Sequence, residues 1–299
     1  MDFAIGRPEL VVEAVEIAPG RRWDIFLRLN FCIPAAVLLL LVVAAILAPQ
    51  MSPYDPLQTT LTQRLQPPAF AGGTGAHLLG TDKLGRDVLS RIIFGARVSL
   101  GVSLLVILIT ATIGTTLGIL GGYLGGVVDS LLMRITDIGL AFPFILIGFL
   151  LAVILGPSVT TVVLAISLLG WAPYARLIRG EVLKLRNADF VLQARIIGSS
   201  PLRIMLTHIL PNIVNPLLIL ATLSVGLIIL VESALSYLGA GVPPPTATWG
   251  SMVSDGRGLI DTAWWISFFP GLAIGLVVLS GNFLGDWLRY RLDPRLRQI

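Results

Sequence analysis

Six stretches of this chain are apolar for long enough to cross a lipid bilayer, and they constrain its fold more than any other feature. At 1.5 Å per helical residue, about 20 residues cover roughly 30 Å of hydrocarbon. The runs fall near 29–48, 98–121, 138–155, 159–174, 209–230 and 264–288. Each is expected as a helix, which makes the chain an all-α polytopic membrane protein. A composition of 55% hydrophobic and 13% charged residues, with a mean hydropathy of +0.88, excludes a soluble globular domain. The fourth run is the weakest, because Gly170 and Pro173 interrupt its end. A signal peptide is the alternative for the first run, but about 28 residues precede it, long for a signal n-region, and no clear cleavage site follows, so the run is expected to be retained.

Six spans place both termini on one side, and positive charge selects which. Fifteen of the twenty-one Lys and Arg fall at that side. Arg7, Arg21, Arg22 and Arg28 precede the first run, and Arg134 follows the second. Arg176, Arg179, Lys184, Arg186, Arg195 and Arg203 follow the fourth, and Arg289, Arg291, Arg295 and Arg297 close the chain. Short loops rich in Lys and Arg stay cytoplasmic, so these segments are expected there. The opposite side keeps Arg64, Lys83, Arg86, Arg91, Arg97 and Arg257, in longer loops that follow the rule less strictly. The same distribution explains the net charge of +4 without nucleic acid. The expected organisation is a cytoplasmic tail at 1–28, a first span at 29–48, an extracytoplasmic segment at 49–97, a five-span core at 98–288 and a cytoplasmic tail at 289–299.

Between the fourth and fifth runs lies a polar insertion, Asp189 to Asn212, which reads as an elbow of two short helices at 187–208. Ala188 to Ile197 alternates apolar and polar residues at helical spacing. Gly198 stands where helices end in a left-handed residue, and Ser200-Pro201 supplies an N-cap followed by proline at the first helical position. An elbow of this kind on a membrane surface is a docking feature.

Within the spans, Gly114, Gly118 and Gly122 recur every fourth residue, as do Gly271 with Gly275 and Gly281 with Gly285. Such stripes bare the backbone to a neighbouring helix and imply close packing. Pro143, Pro173, Pro211, Pro216 and Pro270 permit kinks. Glu232 is the sharpest single residue, since an ionisable group in hydrocarbon costs several kcal/mol unless paired or hydrated. With Ser233 and Ser236 it lines the permeation path, or else it makes a structural ion pair or sits at the outer interface. Arg134 and Asp137, three apart, read as a local pair. Cys32, the single cysteine, lies in an apolar run and reads as packing, with no disulfide framework and no thiol metal site.

The proline-rich stretch after the first run, with Pro49, Pro53, Pro56, Pro67 and Pro68 and then Gly72-Gly73, is no regular helix. His77 to Arg97 follows. Leu84, Val88, Leu89, Ile92 and Ile93 form an apolar stripe with Arg86, Asp87, Ser90 and Arg91 off it, so an amphipathic interfacial helix is expected, capped by Thr81 or Asp82. His77, Asp82 and Asp87 are a weak metal pattern, and capping or surface pairing explains them better.

Residues 192–211 resemble the EAA loop of bacterial ABC importer permeases, in which a glycine follows the triplet and a Leu-Pro lies about a dozen residues on. Gly198 and Leu210-Pro211 keep that spacing; the triplet reads Leu192-Gln193-Ala194, without the usual glutamate. Gly80-Thr81-Asp82, Gly85-Arg86-Asp87 and Ser90-Arg91, with residues 232–249 and 284–295, resemble the dipeptide, oligopeptide and nickel class of these permeases. The resemblance implies a six-helix type I importer permease, with Leu192, Gln193, Ala194, Gly198, Ser199, Ser200 and Pro201 coupling it to ATPase subunits. It also implies a second related permease, two cytoplasmic ATPases that bind ATP and Mg, an extracytoplasmic binding protein, and peptides as cargo, with nickel or another small solute as the alternative. No phosphate-loop motif occurs, so nucleotide is expected on the partners and no cofactor on this chain. A secondary transporter would show several buried charges and an internal repeat. An intramembrane enzyme would show a nucleophile with its base, or a metal triad.

Overall fold

The computed structural model describes residues 21–292, with side chains from Phe31 onward. The expected tails up to residue 20 and from 293, Arg7, Arg295 and Arg297 included, lie outside the described residues. The chain forms α1 (Arg21–Ile46), α2 (Ala48–Met51), α3 (Val88–Leu124), α4 (Gly126–Ala141), α5 (Phe144–Leu155), α6 (Val159–Leu185), α7 (Asp189–Ile196) and α8 (Pro201–Ile204). A π-helical turn, Met205–Ile209, leads into α9 (Leu210–Tyr237), followed by α10 (Trp249–Gly256), α11 (Ile260–Ala263) and α12 (Trp265–Leu292).

All six apolar runs are helical, with altered limits. Four helices, Val88–Leu124, Val159–Leu185, Pro201–Tyr237 and Trp265–Leu292, are long and apolar enough to cross a membrane. The first run lies in α1, whose apolar part is the shorter Phe31–Ile46 and whose backbone is helical from Arg21, ahead of the expected start at 29. The third run, expected as one span, is broken: α4 and α5 meet at 84°. Proline disfavours the helical region for the residue before it, and Phe142, ahead of Pro143, is extended at φ −85, ψ 132. The fourth run is stronger than its sequence indicates, since α6 passes through Gly170 and Pro173 without a break. Packing decides there: Ala172, Ala175 and Ile178 are completely buried, largely against α3.

The helix pair α3–α6 is the most extensive contact of the fold, and its closeness comes from the first glycine stripe. A Cβ at Gly114 would lie 2.4 Å from the Tyr174 Cβ and 2.5 Å from the Trp171 carbonyl. At Gly118 it would lie 2.8 Å from the Ala175 carbonyl, and at Gly122 2.8 Å from the Val182 Cβ. Gly285 packs on Leu223 of α9 in the same way, at 2.6 Å. The expectation fails for Gly271 and Gly275, which have no atom within 4 Å of a built Cβ. Asp137 pairs with Arg176 of α6 and not with Arg134, so it joins two helices.

The interfacial amphipathic helix expected at 77–97 is absent. Residues 77–87 are turns, and α3 begins only at Val88, capped by Asp87, whose carboxylate accepts the Ser90 N–H. From there it runs as one helix to Leu124. The polar side of the stripe was expected in water, yet Arg86, Asp87, Ser90 and Arg91 are all buried.

Candidate functional site

The elbow is built as a corner on the C-terminal ends of α3 and α6. Val191 and Ala194 of α7, Ile204 of α8, and Met205 and Ile209 of the π turn pack on Ile119, Ile178 and Val182. Arg195 lies over the ring of Tyr123, 5.1 Å from its centroid. Beside it, Arg179 makes a forked pair with Asp129, both contacts at 2.7 Å, which ties α6 to α4.

Gly198 takes φ +88, the left-handed conformation expected. Its N–H donates to the Arg195 carbonyl and the Ser199 N–H to the Ala194 carbonyl, both at 3.0 Å, the paired bonds of a Schellman motif. The Ser200 hydroxyl caps α8 by accepting the Arg203 N–H, with Pro201 next. Leu192 and Gln193 are exposed, but Ala194 faces inward and is unavailable to a partner. The outward surface includes two residues that the sequence reading missed: Ile196 and Ile197, 85% and 83% exposed, beside Leu202. Their signal was an isoleucine pair ending a helix whose inward positions, Val191 and Ala194, are three apart.

Pro211 does not divide elbow from span. The Leu210 N–H donates to the Met205 carbonyl, one residue further back than in an α-helix, and the π turn carries the chain past the proline. The second arm of the elbow is therefore the first part of the Pro201–Tyr237 helix, about 55 Å long at 1.5 Å per residue.

At the opposite end, the Gly80–Asp87 motif forms a buried ionic knot. Asp82, fully buried, accepts the N–H groups of Leu84 (2.8 Å) and Arg86 (3.0 Å) through Oδ1. Its Oδ2 takes Arg86 Nε at 2.7 Å and Arg91 Nη1 at 2.5 Å. Asp255 of α10, not singled out in the sequence, joins the arginines at 3.4 to 3.7 Å and holds Lys83 at 2.7 Å. Asp87 accepts from Ser90, and its Oδ1 lies 2.9 Å from His77 Nδ1. Thr81 caps no helix: its hydroxyl donates to the Gln63 carbonyl at 2.5 Å, while its own carbonyl accepts the Trp265 indole N–H at 3.1 Å. At Gly80 and Gly85 a Cβ would meet the carbonyls of Gln66 and Thr60 at 2.5 and 1.9 Å. The motif thus pins the segment between α2 and α3 onto α3, α10 and α12.

Glu232 is enclosed, 1% exposed, among the hydroxyls of Ser99, Ser233, Ser236 and Thr248. Ser236 donates to Oε1 at 2.8 Å, and Oε2 has no hydrogen-bond partner. It makes no ion pair with the described residues. Glu232 and Ser236 are packed beneath the start of α10, where Thr248 caps the helix and the Trp249 indole N–H donates to the Ile92 carbonyl at 3.0 Å.

Two family models match the chain. Residues 114–298 match the binding-protein-dependent transport system inner membrane component, and residues 33–68 the N-terminal TM domain of oligopeptide transport permease C. The dipeptide transport system permease protein DppC of Escherichia coli K12 is 46% identical over 278 residues, 92% of this chain and 93% of that protein. The di/tripeptide transport system permease protein DppC of Pseudomonas aeruginosa is 43% identical over 261 residues, 87% of this chain and 86% of its own length. The corresponding dipeptide permease of Haemophilus influenzae is 41% identical over 262 residues, covering 87% and 89%. With this likeness along most of its length, the chain belongs to the inner membrane components of binding-protein-dependent transport systems.

Proposed function

We propose that this chain forms one half of the translocation pathway of an ATP-driven importer, carrying di- or oligopeptides released by an extracytoplasmic binding protein. The chain is a transport component and not an enzyme. The observation that carries the reading is the elbow: a corner, fixed by the Gly198 turn, whose outward surface holds Ile196, Ile197 and Leu202 among the polar and basic residues Gln193, Arg195 and Arg203, a mixed surface suited to a protein partner. The partner is an ATPase on the cytoplasmic face, where ATP and Mg bind. A second, related permease completes the pathway, and two ATPases serve the pair. The Lys and Arg distribution supports a cytoplasmic elbow and cytoplasmic termini.

Peptide cargo is supported by the relatives named as dipeptide and di/tripeptide permeases. Alternating access follows from a stiff element with two positions. ATP closes the ATPases, they displace α7 and α8, and the helix continuous with α8 carries the tilt towards Glu232 and α10. Purification in mild detergent with the neighbouring subunits should yield a second permease and ATPase subunits, and the assembly in liposomes should take up a dipeptide only with ATP and the binding protein. Uptake by this chain alone, without ATP, would overturn the reading.

A further inference from the structure

A cavity of about 660 Å³ opens at the end of the bundle away from the elbow. Its walls are the turn after α2, with Tyr54 and Asp55, the second and third turns of α3, with Phe94 and Arg97, and Thr246 ahead of α10. Pro49, Pro53 and Pro56 stiffen one side. An apolar hollow with few polar groups is the usual form of a small-molecule site.

Two of those polar groups carry opposite charge and are not paired. Arg97 is exposed and makes no hydrogen bond or ion pair with the described residues. Asp55 is exposed too, and its carboxylate's one contact among the described residues is Oδ1 accepting the Leu57 N–H at 2.8 Å. A guanidinium and a carboxylate sharing one cavity without meeting present separate sites for an anion and a cation. A short peptide offers both, its terminal carboxylate and ammonium being separated by about 7 Å for two extended residues. An anionic lipid headgroup would suit Arg97 but would face a like charge at Asp55.

We propose that this cavity receives a zwitterionic short peptide, with Arg97 holding the terminal carboxylate and Asp55 the terminal ammonium. The proposal rests on the peptide-import reading and adds the point at which this chain first takes the cargo. Guanidinium and carboxylate each bind by charge-assisted hydrogen bonds, the strong class. The hydrophobic walls accept varied side chains, so the termini set recognition and the sequence of the peptide matters little.

The test uses the assembled transporter with its binding protein and a dipeptide carrying a diazirine side chain, photolysed in liposomes and mapped by proteolysis. Adducts are expected on the peptides that contain Tyr54 and Phe94. Arg97→Gln and Asp55→Asn should each lower that labelling about tenfold, the effect of one lost charged contact, with the complex still assembled. Adducts confined to other segments, while ATP-driven dipeptide uptake is intact, would overturn the site and leave the import reading standing. Labelling at the cavity that both variants leave unchanged would overturn the roles of the charges. A complex that takes up no dipeptide refutes the function itself, and with it this assignment.

Discussion

Replacing Gly198 by valine tests the elbow most directly, because the structure isolates the cause of the effect. No atom lies within 4 Å of a Cβ built at Gly198, so crowding contributes nothing and the whole cost is the left-handed backbone at φ +88. Holding a β-branched residue there costs about 1–3 kcal/mol. The alternative is to relax the turn and lose the two Schellman hydrogen bonds, worth about 0.5–1.5 kcal/mol each. The two routes cost alike, and at about 1.4 kcal/mol per factor of ten either depletes the native corner about tenfold to a hundredfold. Val191 and Ile204, buried on either side, contribute about 1.5–3 kcal/mol each and keep both arms seated, so their mutual angle changes and not their attachment. Gly198→Val should therefore express and insert normally, with a thermal midpoint in detergent lowered by only a few degrees, yet lose ATPase subunits on size exclusion and lose ATP-driven dipeptide uptake about tenfold or more. Gly198→Asn, which tolerates this conformation, should retain most of both. Unmutated retention and transport by the valine variant would refute the elbow as the coupling element.

Ile197→Asp should leave folding intact, because the side chain is exposed, and abolish ATPase retention; retention at the normal level would move the docking surface elsewhere. Leu192→Glu, which adds a charge at an exposed position, should transport like the unmutated chain. Asp82→Asn leaves Arg86 and Arg91 buried without their carboxylate and should destabilise the chain by about 3–5 kcal/mol, read as a large fall in thermal midpoint or in yield. In a Cys32→Ser background, cysteines at Gln193 and Gln66 should label from opposite sides with an impermeant reagent, and labelling of 193 from outside in intact cells would reverse the orientation.

Much of this architecture was legible because hydrophobic length is a local property: the six runs, the elbow, the Gly198 turn and the Gly114–Gly122 stripe each declare themselves within a few residues. The failures have one physical cause. An apolar stripe with charges beside it looks the same whether water or protein covers the charges, so residues 77–97 read as an interfacial helix although Asp255, some 170 positions on, closes over the charges. Likewise Gly170 and Pro173 weaken a helix considered alone, and only the α3 surface opposite shows why α6 continues. Gly271 and Gly275 have the spacing of a contact without a neighbour, since spacing marks a face and cannot name what meets it. Of the coupling residues, Ala194 was assigned by likeness to a motif, and the turn of α7 directs it inward while Ile196 and Ile197 point out.

The knot around Asp82 also sets an order in time. Its charges enter the membrane assembly with α3, whereas Lys83 pairs with a residue 172 positions later and the Thr81 carbonyl with an indole 184 positions later. During synthesis Asp82 has Arg86 and Arg91 at hand from the start, but the cluster stays open to water until α10 and α12 arrive. Contacts this distant in sequence form late, because the intervening loop must close first. The α12 contact is thus required before the segment between α2 and α3 acquires its full set of partners, and a chain that stops short of residue 255 leaves the cluster unclosed.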